Sequence, residues 1–85
     1  MTVDELEKRI FEVEEFRVVV RAPHSDKVGD YDFKRKADRG GSLTNWCRSR
    51  LEPLINGHEY IVLDGVCGVP HGRTKLETLR ASYER

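Results

Sequence analysis

The chain has 85 residues, of which 38% are hydrophobic and 35% are charged, and its formal net charge at pH 7 is zero. At this length folding buries only roughly 60 to 65 per cent of the surface that the unfolded chain exposes, so the core is small and little apolar material remains to line a deep substrate pocket. We therefore expect one small domain, residues 1–85, that is not an enzyme; the periodic clustering of its apolar residues argues against disorder.

The charges are segregated along the chain although they sum to zero. Residues 1–16 carry six acids against two bases, and residues 17–51 carry nine bases against four acids. Fields set by charge placement steer encounters with partners even when the net charge vanishes. The sequence therefore predicts a polarised surface.

The first element is predicted to be a helix. Thr2 and Glu5 have the spacing of a capping box, in which each residue satisfies the backbone amide of the other. Apolar residues then follow at steps of three and four and form one buried stripe, Val3, Leu6, Ile10 and Val13. Acidic residues occupy most of the remaining positions and are expected to face solvent: Asp4, Glu5, Glu7, Glu12 and Glu14.

From Phe16 the apolar period changes to two, which predicts a half-buried strand that ends at Pro23. A polar loop over residues 23–30 follows. Residues 31–38 alternate again, so they are predicted to form a second strand that pairs with the first as a hairpin. The outer face of this hairpin would carry four bases: Arg17, Arg21, Lys34 and Lys36.

The second helix is predicted to begin after Gly40 and Gly41, with Ser42 as its N-cap. Pro53 lacks a backbone N–H and clashes with the preceding turn, so the regular helix is expected to end or kink near Leu51.

The last elements are a strand and a helix. Residues 60–63 form an uninterrupted apolar run, which is typical of a strand covered on both faces. Thr74 and Glu77 repeat the capping-box spacing and predict a final helix. The expected fold is α+β in two layers, with a three-stranded, mainly antiparallel sheet and the order helix, strand, strand, helix, strand, helix.

The glycine-containing loop before the last helix was considered as a phosphate-binding loop. Only three residues separate Gly68 from Gly72, and arginine replaces the lysine of the P-loop pattern, so nucleotide binding is not expected. A weaker anion site at Arg73 and Thr74 remains open.

The cysteines and histidines do not form a convincing reactive site. Cys67 and His71 are four residues apart, but structural zinc sites need two such pairs, so no metal is expected. Cys47 lies in the apolar stripe beside Trp46, where a thiol is usually inert, and Cys67 is expected to be the more exposed thiol. Because neither has an orienting partner, we expect no catalytic residue and no cofactor.

Two cysteines are too few for a disulfide scaffold, so a reducing cytoplasm is the expected location. The acidic N-terminus lacks the features of a signal peptide, and no apolar run is long enough to cross a bilayer. We therefore expect no membrane association, and a homo-oligomer remains open.

The basic region is the most concrete candidate site. The expected binding residues are the exposed bases of the predicted hairpin and its surroundings: Arg17, Arg21, Lys34, Lys36, Arg35, Arg39 and Arg48. Acids interrupt this region and the pI is about 6.8, whereas nucleic-acid modules are usually more basic. A protein or ribonucleoprotein partner is therefore preferred, and nucleic-acid binding through the basic sheet face is the alternative.

These observations predict a non-enzymatic interaction module, an adaptor or inhibitor that occupies a macromolecular partner through charged surface. Inhibitors carried by phages and mobile elements, anti-CRISPR proteins among them, belong to the same size class. The comparison is one of size and composition, because no motif supports it.

Overall fold

The computed structural model describes residues 1–84 and confirms the first helix. Helix α1 spans Val3–Glu14, and Thr2 and Glu5 form the predicted capping box. The helix stops at Glu15, which adopts a left-handed conformation with φ of 68° and donates its amide to the carbonyl of Phe11. Such a residue terminates a helix because the chain reverses direction there. The chain consequently passes straight from α1 into the first strand.

The sheet has two antiparallel strands. Strand β1 (Arg17–Val20) pairs with strand β2 (Tyr60–Leu63), with Val18 opposite Val62 and Val19 opposite Ile61. The alternation predicted for β1 is confirmed, because Val18 is buried and Val19 is exposed. Since paired residues point to the same side of a sheet, Val18 and Val62 share the inner face.

The predicted second strand is wrong. Residues 31–38 have no regular secondary structure, so the fold is α+β with the order helix, strand, helix, strand, helix and with two strands instead of three. The prediction that residues 60–63 are covered on both faces is also wrong. Only Val62 is fully buried, because the sheet face that carries Ile61 and Leu63 is only partly covered.

The second helical segment changes its winding twice. Helix α2 spans Leu43–Trp46 and is capped as predicted by Ser42, whose hydroxyl accepts a hydrogen bond from the amide of Asn45. A π-helical turn over Cys47–Leu51 and a 3-10 turn over Glu52–Leu54 follow. Pro53 cannot donate to the carbonyl four residues before it, which prevents a regular continuation. The helix was predicted to end or kink near Leu51; α-helical winding ends earlier, at Trp46, and the π-helical turn ends at Leu51, directly before the 3-10 turn that contains Pro53.

Helix α3 spans Leu76–Ala81 and begins after Lys75. The second predicted capping box is wrong, because both of its backbone amides are engaged elsewhere. The amide of Thr74 donates to the carbonyl of His71 at 2.9 Å, and the amide of Glu77 donates to the carbonyl of Arg39 at 3.0 Å. The carbonyl of Thr74 accepts from the amide of Leu43 at 2.8 Å, and this bond holds the chain before α3 against the start of α2.

A tyrosine after α3 ties the end of the chain to the sheet. The hydroxyl of Tyr83 accepts from the amide of Arg17 at 3.0 Å and donates to the carbonyl of Leu63. The hydroxyl thus lies between two residues that face each other across the strands.

The core lies between α1, the inner face of the sheet, the helical segment over residues 43–54 and α3. Its largest fully buried side chains include Phe16, Tyr31 and Leu51, and the rings of Phe16 and Trp46 meet edge to face at 4.8 Å. Among residues 1–84, Glu14 is the one charged or polar residue in the buried class. None of the described helices combines the length and apolar character needed to cross a membrane.

Candidate interaction surface

The predicted basic face of a hairpin is not formed. Arg17 and Arg21 do lie on exposed positions of the first strand and just after it, and the guanidinium of Arg17 lies 5.5 Å from the ring centre of Phe11. Lys34 and Lys36 belong to the irregular segment instead, because β1 pairs with β2. The predicted bases are therefore divided between the sheet and another part of the surface.

We call residues 30–39 the strap. Within the described chain, no backbone-to-backbone hydrogen bond involves residues 30–37. A segment of this kind is usually mobile unless other groups fix it. Here side chains from three other parts of the fold supply the missing bonds.

A buried carboxylate holds both ends of the strap. The side chain of Glu14 is fully buried, and its Oε2 accepts from the hydroxyl of Tyr31 at 2.5 Å while its Oε1 accepts from the amide of Ala37 at 2.9 Å. Two cations balance the charge: Arg50 donates to Oε2 and Arg80 to Oε1, each at 2.8 Å. Their side chains are 22% and 9% exposed. The carboxylate therefore has four donors, as a buried charge requires.

A second set of contacts joins Tyr31 and the middle of the strap to the helical segment that begins at Leu43. The indole of Trp46 donates to the hydroxyl of Tyr31 at 3.2 Å, and Arg50 donates to the backbone carbonyl of Arg35 at 2.8 Å. The guanidinium of Arg50 also lies 4.2 Å from the ring centre of Phe33, a cation–π distance. Burial and the bond to Glu14 raise the pKa of the Tyr31 hydroxyl well above its ordinary value, so this donor stays protonated.

The end of α1 places the buried carboxylate. Because Glu15 turns out of the helix in a left-handed conformation, Glu14 keeps its place in the last turn and faces the core, while Glu15 faces solvent. Glu15 pairs with Lys36 of the strap at 2.7 Å, and this hydrogen bond lowers the pKa of the Glu15 carboxyl. Adjacent residues of one helix end thus bind the strap from inside and from outside.

The strap presents three cations to solvent. Lys34, Arg35 and Arg39 are exposed, and none of them forms a salt bridge with another residue in the described range 1–84. Phe33, beside them, is 36% exposed. The sequence-predicted residues of this stretch are therefore exposed on one continuous segment, although they do not form a strand.

The remaining predicted residues lie away from the strap. Arg48 is exposed on the π-helical turn, and no described contact links it to residues 30–39. At the predicted anion site the amide of Arg73 donates to Nδ1 of His71, and the amide of Thr74 donates to the carbonyl of the same residue. Both amides are thus engaged within the loop, and the exposed side chain of Arg73 is the part of this site that faces solvent.

The two thiols differ as predicted. Cys47 is buried and Cys67 is exposed, and burial raises the pKa of the Cys47 thiol. Tyr60, which lies near that thiol, donates instead to Glu52 at 2.7 Å. No group of three potential ligands that could hold a metal ion occurs within residues 1–84.

Sequence reasoning missed the residues that organise this surface. It placed Glu14 among the acids outside the buried stripe, and it assigned Tyr31 to a strand that does not form. Tyr31 and Trp46 are both buried, at 1% and 2% exposure. One signal was available, because Glu14 continues the buried series Leu6 and Ile10 at steps of four.

Comparison with protein-family models, with curated proteins and with solved structures gives no match. We therefore argue function from the surface and contacts of this chain alone.

Proposed function

We propose that this chain is a non-enzymatic interaction module, an adaptor or inhibitor that occupies a protein partner through the strap. The observation that carries the proposal is the fixation of an irregular, charged segment by a fully buried carboxylate. Burying a charge costs several kcal/mol unless partners offset it, and apolar residues of similar volume often stabilise a fold as well or better, on the order of 1 to 4 kcal/mol. Glu14 therefore contributes something that stability alone does not explain, namely one defined shape of an exposed loop.

A fixed loop suits binding. Ordering a flexible segment on association costs free energy, roughly 0.5 to 1.5 kcal/mol for each side chain that becomes immobile. The strap is already held at the side chain of Tyr31 and at the backbone of Arg35 and Ala37, so less of this cost remains. Exposed loops on a rigid scaffold are common carriers of binding residues.

The charge pattern favours protein over nucleic acid. The strap begins with Asp30 and Asp32 and continues with Lys34, Arg35 and Lys36. A polyphosphate surface is negative throughout and would be repelled by the first two residues, whereas a protein surface can present acids and bases in matching positions. Tyr31 and Trp46 are buried, so neither can stack on a base.

The test is charge reversal with a matched control. The strap variant changes Lys34, Arg35 and Arg39 to Glu; the control variant changes Arg21, Lys27 and Lys75 to Glu, so both alter the net charge equally and both use exposed positions. Wild-type and variant proteins are immobilised, exposed to a lysate of the organism that carries the gene, and the captured proteins are identified by mass spectrometry. Affinity for the captured partner is then measured by calorimetry.

We expect the strap variant to lose about 100-fold or more in affinity, because reversing charges at an interface costs several kcal/mol, and the control to lose little. Circular dichroism establishes that both variants are folded. The proposal is wrong if no specific protein is captured or if both variants bind equally well. Binding of DNA or RNA with an affinity that falls steeply with added salt would favour nucleic-acid binding instead.

A further inference from the structure

An open groove of about 330 Å³ lies at the acidic end of the strap. It is lined by two carboxylates and two apolar side chains, Asp30, Asp32, Phe33 and Leu54. Both acids are exposed, Phe33 is 36% exposed and Leu54 is half-buried. The groove is therefore lined by both apolar side chains and carboxylates.

The walls of the groove are held in place. Tyr31, between the two acids, is fixed in the core by Glu14. On the other side the amide of Gly29 donates to the carbonyl of Leu54 at 2.8 Å, and a Cβ at position 29 would come within 2.8 Å of the Leu54 side chain. Glycine at this position thus permits the close approach that brings Leu54 beside the strap.

The charge in the groove is only partly compensated. The N-terminal ammonium of Met1 bonds to Oδ1 of Asp30 at 2.7 Å and lowers the pKa of this carboxyl. Asp32 forms no salt bridge with any residue from 1 to 84. One carboxylate here already binds an ammonium group, and negative charge remains for a second cation.

We propose that this groove binds a lysine or arginine side chain of the protein partner; this rests on the proposed function and names the chemistry of one contact within it. A long cationic side chain fits both halves of the site, because its methylene stem can cover Phe33 and Leu54 while its charged end meets Asp30 and Asp32. The three cations of the strap follow directly in sequence. The partner surface is therefore expected to place a base next to acids, and a nucleic acid cannot supply this pattern.

The groove can be tested without knowledge of the partner. The probes are acetylated, amidated tripeptides Gly-Arg-Gly and Gly-Lys-Gly, with the uncharged analogue Gly-norleucine-Gly as reference. Binding to the full chain is followed by the chemical shifts of its backbone amides. We expect saturable shifts at residues 30–33 and 54 with the two charged peptides, at affinities on the order of millimolar because one side chain makes few contacts.

Two variants decide which residues are responsible. Asp30→Asn with Asp32→Asn is expected to weaken the charged peptides roughly three- to thirtyfold, since two partly exposed ion pairs are lost. Asp26→Asn with Glu59→Gln removes the same charge elsewhere and should leave binding unchanged. Equal shifts with the norleucine peptide, shifts outside the groove, or equal affinities of the two variants would overturn the inference.

The outcomes separate the two proposals. If the captured partner depends on the strap cations but binds the Asp30→Asn, Asp32→Asn variant normally, the proposed function stands and the groove inference is wrong. If no partner is captured, the proposed function fails, and the peptide titration still decides whether the groove binds a cationic side chain.

Discussion

Replacing Glu14 with Gln should remove most of the order of the strap together with much of the stability of the fold. The substitution keeps the shape of the side chain but turns one of its two oxygens into an NH₂ group. Each oxygen accepts one bond from an arginine and one from another donor. In either orientation of the amide, its NH₂ group therefore faces two hydrogen-bond donors and can accept from neither. Two hydrogen bonds are lost, one of them from a guanidinium, and two guanidinium groups lose their counter-ion.

The magnitude follows from the burial of these groups. Removing one partner of a buried ion pair costs about 3 to 5 kcal/mol. Because Arg50 is 22% exposed and keeps contact with water, we expect the lower end, about 3 kcal/mol. A domain of 85 residues has a total stability of about 4 to 13 kcal/mol, so the variant should retain about 1 to 10 kcal/mol, and it is marginally folded if the wild type lies at the lower end of this range.

Urea unfolding followed by the fluorescence of Trp46 measures this loss, because Trp46 is the single tryptophan, is buried and donates to Tyr31. With a slope of about 1 kcal/mol per molar urea for a protein of this size, the midpoint should fall by about 3 M. If the variant is unfolded without urea, trimethylamine N-oxide brings the transition back into range. Hydrogen exchange at the amide of Ala37, slow in the wild type, should become fast.

The matched control is Glu15→Gln, one residue away. The side chain of Glu15 is exposed and bonds only to Lys36 in the described chain. The urea midpoint of this variant should therefore stay near that of the wild type. A shift below about 1 M for Glu14→Gln, or equal shifts for the two variants, would refute the claim that the buried carboxylate organises the strap.

Three further predictions concern other parts of the molecule. Gly65→Ala should prevent stable folding, because its Cβ would overlap a backbone carbonyl oxygen after α3. The control Gly40→Ala should melt like the wild type, because the atom nearest to its Cβ is 3.6 Å away. Similar melting temperatures of the two variants would contradict the close packing at Gly65. The free energy of unfolding should fall above pH 10, because the raised pKa of Tyr31 means that the unfolded chain loses the hydroxyl proton at lower pH than the folded chain. Tyr31→Phe should flatten the decline of the urea midpoint between pH 8 and 11. An unchanged slope would show that Tyr31 does not cause the decline. A thiol reagent such as a dinitrobenzoate disulfide should modify Cys67 rapidly and Cys47 only on unfolding, so two fast thiols in the native protein would be inconsistent with the burial of Cys47.

The elements that could be predicted from the sequence are those specified by neighbouring residues. The capping box at Thr2 and Glu5 determines the start of α1 whatever the rest of the chain does, and the alternation through Val18 indicates a half-buried strand without naming its partner. Pairing is a long-range choice, and residues 60–63 are about 40 positions away from β1. A local hairpin was therefore the natural prediction, and it was wrong.

The strap was misread for a related reason. Tyr31 is buried and Phe33 lies beside it in contact with Arg50, so the sequence shows a period of two although no strand is present. The buried carboxylate that produces this arrangement comes from α1, and its cations come from two later segments. Glu14 is spaced in line with Leu6 and Ile10, but its charge led to the prediction that it faces solvent, and only the folded chain shows which donors meet it.

The way in which the strap is held has a consequence for variation of this protein. Among its own residues, the strap contributes to the buried network one side chain, that of Tyr31, and two backbone groups, the carbonyl of Arg35 and the amide of Ala37. Any residue can supply the carbonyl at position 35, and any residue other than proline can supply the amide at position 37. Positions 34, 35 and 39 can therefore change their side chains with little effect on the scaffold, and the proposed interaction surface can vary while the core sequence stays the same.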